Sequence, residues 1–441
     1  MNQNKTLSRL ALIGLLGGSA SCIAGYQNQL SGPLMTLGKT TNPSTLLSVT
    51  NNPAGGESLL SKGESFRMGY FSSLGFGVEV GDVDNFIDDI DELTDALDDD
   101  GLSLDEALDI KAKFDVLLPI MGEDARTTLN IGLTAPLMPV AIRSDTLDGV
   151  LSFNLQATGL VDISLLDAPL DIEIVGSDVN LVTDSALYFK GGSVATGSIG
   201  YSREVWKPQV LDSTLYAGVT ANVYHVTLNK QVIALENILE DDDVGDAVQD
   251  EFGENTVSTT GVGLDFGLMW SLPHGQVGVT FSNVNEPEFD YGDIGKKCSE
   301  IDDATRSSNC VVAQKFSNEI ALSETFVMQA QTTVEGAVFT KDKMWLVSGA
   351  ADLNSTFDFV GRETQYVSAS ASYFPNSYII PTVRVGMSQN LVGSELTTIG
   401  FGTTLFGIFN FDLSASLDQV EIDGTKAPRQ FGFNIGFEES F

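Results

Sequence analysis

From about residue 65 onward the chain is a succession of short segments in which large apolar residues alternate with small or polar ones. Phe431, Phe433, Ile435 and Phe437 fall on one side of such a segment, and Gly432, Asn434 and Gly436 on the other, because strand side chains alternate with period two. The same pattern sets Leu129, Ile131 and Leu133 against Asn130, Gly132 and Thr134, and Leu151, Phe153, Leu155 and Ala157 against Ser152, Asn154, Gln156 and Thr158. Further strands are predicted at Phe66–Val80, Leu170–Ile174, Tyr188–Tyr201 (broken by Gly191-Gly192), Leu215–Leu228, Val262–Trp270 and Val277–Phe281. The last half adds Phe326–Phe339, Met344–Leu353, Tyr366–Tyr373, Ile380–Met387, Leu396–Leu405 and Phe409–Leu417. A soluble sandwich would bury the bulky side. Bulky apolar residues facing out and small polar residues facing in are what a membrane barrel requires, with lipid outside and a polar lumen within.

The connections sort in the same sense. Counting back from the C-terminus, every second connection is short: Gly407-Ile408, Pro375–Tyr378, Thr340–Lys343, Leu272–Gly275 and Trp206–Asp212. The long ones are 283–325, 229–255 and 81–127. Short turns on one side and long loops on the other are the rule for outer-membrane barrels. Placing 81–127 with the other long loops requires dropping Leu170–Ile174 as a strand or adding one more, which predicts 14 or 16 antiparallel strands over residues 65–441. Within 81–127, Val83, Phe86, Ile90, Leu93 and Leu97 recur at helical steps, and Leu102–Lys113 forms a second helix, so this outer loop is an acidic helical hairpin. A terminal Phe441 closing the Phe431–Phe437 strand resembles the C-terminal assembly signal of bacterial outer-membrane barrels.

At the other end, Lys5 and Arg9 precede the apolar run Leu10–Leu16 and a group of small residues. This is a secretory signal peptide, residues 1–24, cleaved after Ala24. Cys22 raises a lipoprotein alternative, but Ser19 stands where a lipobox wants Leu. The segment 25–64 is rich in turn residues, with Asn51-Asn52-Pro53-Ala54-Gly55-Gly56 just before the first strand. An Asn-Pro-Ala-Gly motif soon after a signal peptide resembles the FadL-type channels for hydrophobic compounds, and that resemblance implies an N-terminal segment that plugs the barrel.

Net charge narrows the chemistry. At -37 the chain repels nucleic acid, whose binding runs on Lys and Arg, so no direct nucleic-acid partner is expected. A calcium loop around Asp98–Gly101 fails, because Ala96 and Ala107 occupy its first and twelfth positions, where carboxylates are needed. There is no metal-spaced His/Cys cluster and no phosphate loop, so neither cofactor nor metal is expected. With His225 in a strand and His274 in a turn, a Ser-His hydrolase would have to use His225, and the expectation is that the protein is not an enzyme.

Several features in order resemble the TraF-like family of plasmid conjugal-transfer outer-membrane proteins, distant relatives of the FadL-type channels. They are Asn52-Pro53-Ala54; the Val/Ile/Leu-Asp repeat of Asp82–Asp100; the strand Leu215–Leu228 leading into acidic Leu235–Phe252; and Ser282-Asn283-Val284-Asn285-Glu286-Pro287 after a strand. The resemblance implies an outer-membrane protein with a structural or envelope role linked to plasmid DNA transfer. The alternative is a FadL-type transporter of hydrophobic small molecules. Expected partners are outer-membrane lipid, the barrel-assembly machinery, and either the conjugation apparatus or a hydrophobic ligand.

Removal of the signal peptide leaves Cys298 and Cys310, enclosing Ser299–Asn309 in one long outer loop. An exported protein with an even number of cysteines is expected to pair them in an oxidising compartment. Deleting Phe441 is expected to impair barrel assembly and leave the chain in the periplasm for proteolysis. Cell fractionation measures this, and an undiminished outer-membrane yield would remove the assembly role.

Overall fold

The computed structural model describes residues 32–60, 63–99, 101–176, 178–208, 212–240, 255–375, 377–422 and 424–438. The signal segment 1–24 with Cys22, the start of the 25–64 segment and Phe441 lie outside the described residues. The described residues form a closed antiparallel barrel of 14 strands. In chain order these are β1 (Phe66–Met68, resuming at Phe71–Val80), β2 (Arg126–Thr134, resuming at Val140–Ser144), β3 (Gly149–Leu166), β4 (Ala186–Trp206), β5 (Thr214–Ala234), β6 (Val257–Leu272) and β7 (Gly275–Ser282). They continue as β8 (Gln331–Phe339), β9 (Trp345–Asp352), β10 (Tyr366–Tyr373), β11 (Thr382–Asn390), β12 (Thr397–Leu405), β13 (Phe409–Ser416) and β14 (Gln430–Phe437). Each strand pairs with its neighbours in sequence, and β14 returns to β1 through pairs such as Phe76↔Phe433 and Leu74↔Ile435.

The sides of the strands divide as their alternation requires. Phe266, Leu268, Trp270, Val347, Ile399, Phe401 and Phe431 point out and are exposed. The residues between them, including Thr280, Ser348, Ser370, Asn410, Ser414 and Asn434, are buried in the lumen. The short connections lie at the end of the barrel where β14 finishes, and the long ones at the other.

Several strands differ from expectation. The Leu170–Ile174 strand exists, but it pairs with an unforeseen one, Asp178–Thr183, in a hairpin separate from the wall. That hairpin is why the wall has 14 strands and 81–127 lies with the other long loops. Gly191-Gly192 does not break β4, because both glycines stay in register between β3 and β5. The Phe66–Val80 and Phe326–Phe339 strands are each split: Thr325–Val327 pairs with Glu288–Asp290 as a separate ribbon before β8 begins. In β2, Pro136 and Pro139 carry no N–H and cannot sustain a ladder, so Ala135–Pro139 bulges and β2 resumes at Val140.

Beyond the wall, β3, β4 and β5 continue outward as a sheet covered on both faces. On one face lie α1 (Phe86–Leu97), α2 (Leu104–Asp124) and the Leu170–Thr183 hairpin. Phe114, Leu118 and Met121 of α2 pack there with Leu165, Leu187, Phe189 and Ile233. Helix α2 opens on a Ser103 capping box with Glu106 and runs past Lys113, where the sequence pattern ends it, because these residues have a sheet to cover. On the other face, Val312 and Ala313 of α3 (Ala304–Lys315) and Phe316 just past its end pack against Leu166, Ala186 and Val232.

Cys298 and Cys310 form a disulfide with alpha carbons 5.4 Å apart, tying α3 to the turn before it. Closing a loop of this length is worth roughly 3 kcal/mol in the chain-entropy account, and that energy belongs to the loop tip. Reduction is expected to leave the heat-resistant gel mobility of the barrel unchanged while making 283–325 easier to cut. Limited proteolysis with and without reductant checks this.

Candidate functional site

Residues 32–60 thread the lumen as short helical pieces: Leu34–Leu37, Leu46–Thr50, Pro53–Gly55 and Gly56–Leu59. Asn52 and Pro53 start the third piece, with the Asn52 carboxamide oxygen accepting from the Ala54 N–H at 2.9 Å. Such turn-rich chain leaves many backbone groups unpaired, and inside a barrel the wall has to supply their partners.

It does so with Glu335, Glu438, Ser73, Gln276, Thr280, Arg67 and Arg143, and its carboxylates fasten side chains of the segment as well. Glu335 on β8 accepts from the Thr41 N–H, from the Thr41 hydroxyl at 2.8 Å and from Asn52 Nδ2 at 2.8 Å. Asp352 on β9 holds Lys39 Nζ at 2.7 Å, and Gln331 accepts from the same ammonium at 2.9 Å. Asp412 on β13 accepts from the Thr36 hydroxyl at 2.8 Å and pairs with Arg384 Nη2 at 2.9 Å. Glu438, just past β14, accepts from the Thr45 hydroxyl at 2.8 Å and from the Leu46 N–H. Burial pushes the Glu438 carboxyl above its ordinary range, against the Thr45 hydroxyl, Arg67 and the Leu46 and Leu47 amides, which favour the charged form. Burial likewise pulls the Lys39 ammonium down, and Asp352 opposes it.

Glycines let the segment approach the wall. A methyl group at Gly386 would lie 1.9 Å from the Thr36 carbonyl oxygen, and one at Gly218 2.2 Å from that of Pro53. The small residues facing the lumen in the sequence are therefore contact points for backbone.

All of Asn51–Gly56 takes part in this packing. The Asn51 carbonyl accepts from Thr280 at 3.1 Å, and Asn52, Pro53, Ala54, Gly55 and Gly56 are buried. Phe431, Phe433, Ile435 and Phe437 line the outer side of β14, while Asn434 turns inward and donates to Ser73 Oγ at 2.7 Å. His225 is exposed, with Thr260 Oγ1 at 3.2 Å from Nδ1. Sequence reasoning missed Glu335, Asp352 and Asp412. Their signal was a charge in the small or polar register of an alternating strand, indistinct among so many acids.

Above the segment lies a cavity of about 100 Å³. Most of its lining is Ser, Thr, Asn and Gln, including Asn154, Gln156, Ser198 and Asn222, and Lys39, Asn51 and Pro53 border it.

A family model described as "F plasmid transfer operon, TraF, protein" matches residues 49–352. No curated protein matches the sequence. Among solved structures the chain is similar to a TodX deltaS2S3 mutant monoaromatic hydrocarbon channel, at 12% identity over 94% of this chain and 100% of the other, with a TM-score of 0.48. It is similar to the Pseudomonas putida toluene transporter TodX at 13% identity, over 95% of this chain and 98% of the other, with a TM-score of 0.43. A Pseudomonas aeruginosa FadL homologue is 9% identical over 95% of this chain and 99% of its own, with a TM-score of 0.43.

Asp412→Ala leaves Arg384 buried without its partner, an expected cost of roughly 3–5 kcal/mol. The readout is a lower temperature for loss of the compact gel form. Gly386→Val should spare the wall pairing but displace Thr36, seen as faster proteolysis within residues 32–60.

Proposed function

The chain belongs to the family of the F plasmid transfer operon TraF protein, and from that premise we propose that it serves in the outer membrane as a closed barrel with a structural or envelope role in plasmid DNA transfer. The observation that carries this reading is the lumenal segment. Carboxylates on β8, β9 and β13 and at the end of β14 fasten it across the lumen, which suits a wall kept shut better than a standing pore. In this reading residues 25–64 are a plug with Asn51–Gly56 at its heart, residues 1–24 direct export, and the outward aromatics of β14 with Phe441 are what the barrel-assembly machinery engages. The role is non-enzymatic, and contact with DNA is indirect, since a net charge of -37 opposes binding to phosphate. Its partners are outer-membrane lipid and components of the conjugation apparatus, met through the outer loops.

A second reading, passage of hydrophobic molecules, is favoured by the interruption of β1 and β2. There the wall carries the bulge Ala135–Pro139, and Tyr70 and Leu137 are exposed beside it. The polar lining of the cavity beside Asn51 and Pro53 weighs against it, because a hydrocarbon there would strip water from amides and hydroxyls without replacing their hydrogen bonds.

The test is plasmid transfer frequency from donors lacking the protein and from donors complemented with the full chain. A fall of at least about tenfold on deletion, restored by complementation, is expected. Unchanged transfer, together with loss of growth on or uptake of a hydrophobic compound, would favour the second reading.

A further inference from the structure

We infer that the ribbon of Glu288–Asp290 with Thr325–Val327 forms an outer gate over the lumenal cavity, and that the cavity is a binding chamber for small hydrophilic solutes admitted from outside the cell. The inference rests on the membrane-barrel reading and is independent of any role in DNA transfer.

Hydrogen-bonding side chains predominate around the chamber, among them Asn154, Gln156, Ser198, Asn222 and Thr280, beside apolar Leu34, Val49 and Pro53, and its volume of about 100 Å³ suits a few waters or a solute of a few heavy atoms. The same side chains that donate and accept hydrogen bonds to such a solute penalise an apolar one.

Its roof is of the opposite character. Tyr224 of β5, which also lines the chamber, meets Phe289 edge-on at 6.4 Å; Phe289 stacks on Phe326 at 6.4 Å; and Phe326 meets Phe359 at 6.2 Å. Met328 and Val360 complete a buried apolar layer. Phe289, Phe326 and Met328 come from the 283–330 connection, whose ribbon Glu288–Asp290 with Thr325–Val327 is a sheet separate from the wall. The wall makes room for it: a methyl group at Gly261 of β6 would lie 2.8 Å from the Phe289 ring.

The ribbon is latched by charge. Lys190 of β4 and Lys230 of β5 are direct cross-strand partners, buried, with ammonium groups of like sign. Glu324, immediately before the ribbon strand Thr325–Val327, meets Lys190 Nζ at 2.5 Å and Lys230 Nζ at 3.6 Å, Lys230 also donates to the Ala321 carbonyl, and both ammoniums lie over the Tyr291 ring, at 5.0 and 5.5 Å. With the ribbon in place, Glu324 offsets their repulsion. With the ribbon swung outward and α3 keeping its place on the outer sheet, water does so, and the closed and open arrangements differ chiefly by this ion-pair cluster and the apolar layer.

The hinge is Ser282–Pro287, a motif otherwise without an assigned role. Asn283 and Glu286 have φ of 49° and 46°, which turn the chain sharply inward from β7. The Asn285 side chain replaces a backbone partner for β6, accepting from the Leu264 N–H at 2.8 Å and donating to the Val262 carbonyl at 2.7 Å. The Asn283 N–H donates to Asp265 at 2.7 Å, and Asn283 Oδ1 accepts from the Tyr224 hydroxyl at 2.8 Å. The start of the loop is thereby fixed, as is α3, packed on Leu166, Ala186 and Val232, while the ribbon between them is held by its latch, its aromatic contacts and the Phe357 N–H bond to the neighbouring Gln329 at 2.9 Å.

The test is thiol labelling of Ser198→Cys in the full-length protein in intact cells, with hydroxyethyl methanethiosulfonate as the small hydrophilic probe. Asp302→Cys, exposed on the same loop, is the positive control. Labelling at Ser198→Cys should be slow in the otherwise native protein and about tenfold faster when Glu324→Gln or, separately, Phe289→Ala is added, as expected for loss of one contact set in a two-state equilibrium. Compact gel mobility of each variant shows that the barrel has folded. Equal rates with and without either gate substitution, while Asp302→Cys labels normally, would overturn the gate. Faster labelling by a butyl reagent than by the hydroxyethyl one would overturn the assignment of solute class.

Discussion

Lipid offers no hydrogen bonds, so every backbone N–H and C=O in the wall needs a partner within the protein, at several kcal/mol for each one left without. That requirement closes the sheet on itself, fixes β14 against β1, and sets the terms on which the wall is allowed to break. Where Pro136 and Pro139 interrupt β2, the loosened groups are taken up locally. The Leu137 N–H donates to the Tyr70 carbonyl at 2.8 Å, the Gly69 N–H to that of Pro139 at 3.0 Å, and the Ser72 hydroxyl to that of Met138 at 2.6 Å.

Closure with apolar residues outward turns the interior into a polar enclosure, and the lumenal segment is shaped by that inversion. It is fastened by ion pairs and charged hydrogen bonds to Glu335, Asp352, Asp412 and Glu438. Arg384 sits fully inside the wall because Asp412 takes its Nε and one Nη2 hydrogen, the Thr403 carbonyl the other Nη2 hydrogen, and Thr404 one of Nη1. Such buried pairs add less to stability than their Coulomb attraction suggests, but removing one partner strands the other. They therefore hold the segment in one position more than they strengthen the barrel.

Outside the lipid the same strands obey the rules of a soluble protein. The extensions of β3, β4 and β5 carry apolar residues on both faces and are covered by α1 and α2 on one side and α3 on the other. The outer storey thus has cores of its own, stapled by Cys298–Cys310, and it brings the 283–330 ribbon over the lumen. The polar chamber lies between an aromatic roof from the loops and the lumenal segment below.

The barrel was legible in the sequence because alternation at period two is a local property: Phe431 to Phe437 display the outward side of β14 without knowledge of any neighbour. The sorting of short and long connections, the α1 helix and the pairing of the remaining cysteines were equally readable, since each depends on residues close together in the chain. What sequence left open depended on contacts across the fold. Whether Leu170–Ile174 joins the wall was decided by its pairing with Asp178–Thr183, and α2 ran beyond its pattern because a sheet was there to cover. Glu335, Asp352 and Asp412 were indistinct among 60 acidic residues until the closed wall set them opposite Thr41, Lys39 and Thr36, which lie 294, 313 and 376 positions away in the chain. An alternating strand determines which side faces the lumen, but only closure of the barrel decides what that side meets.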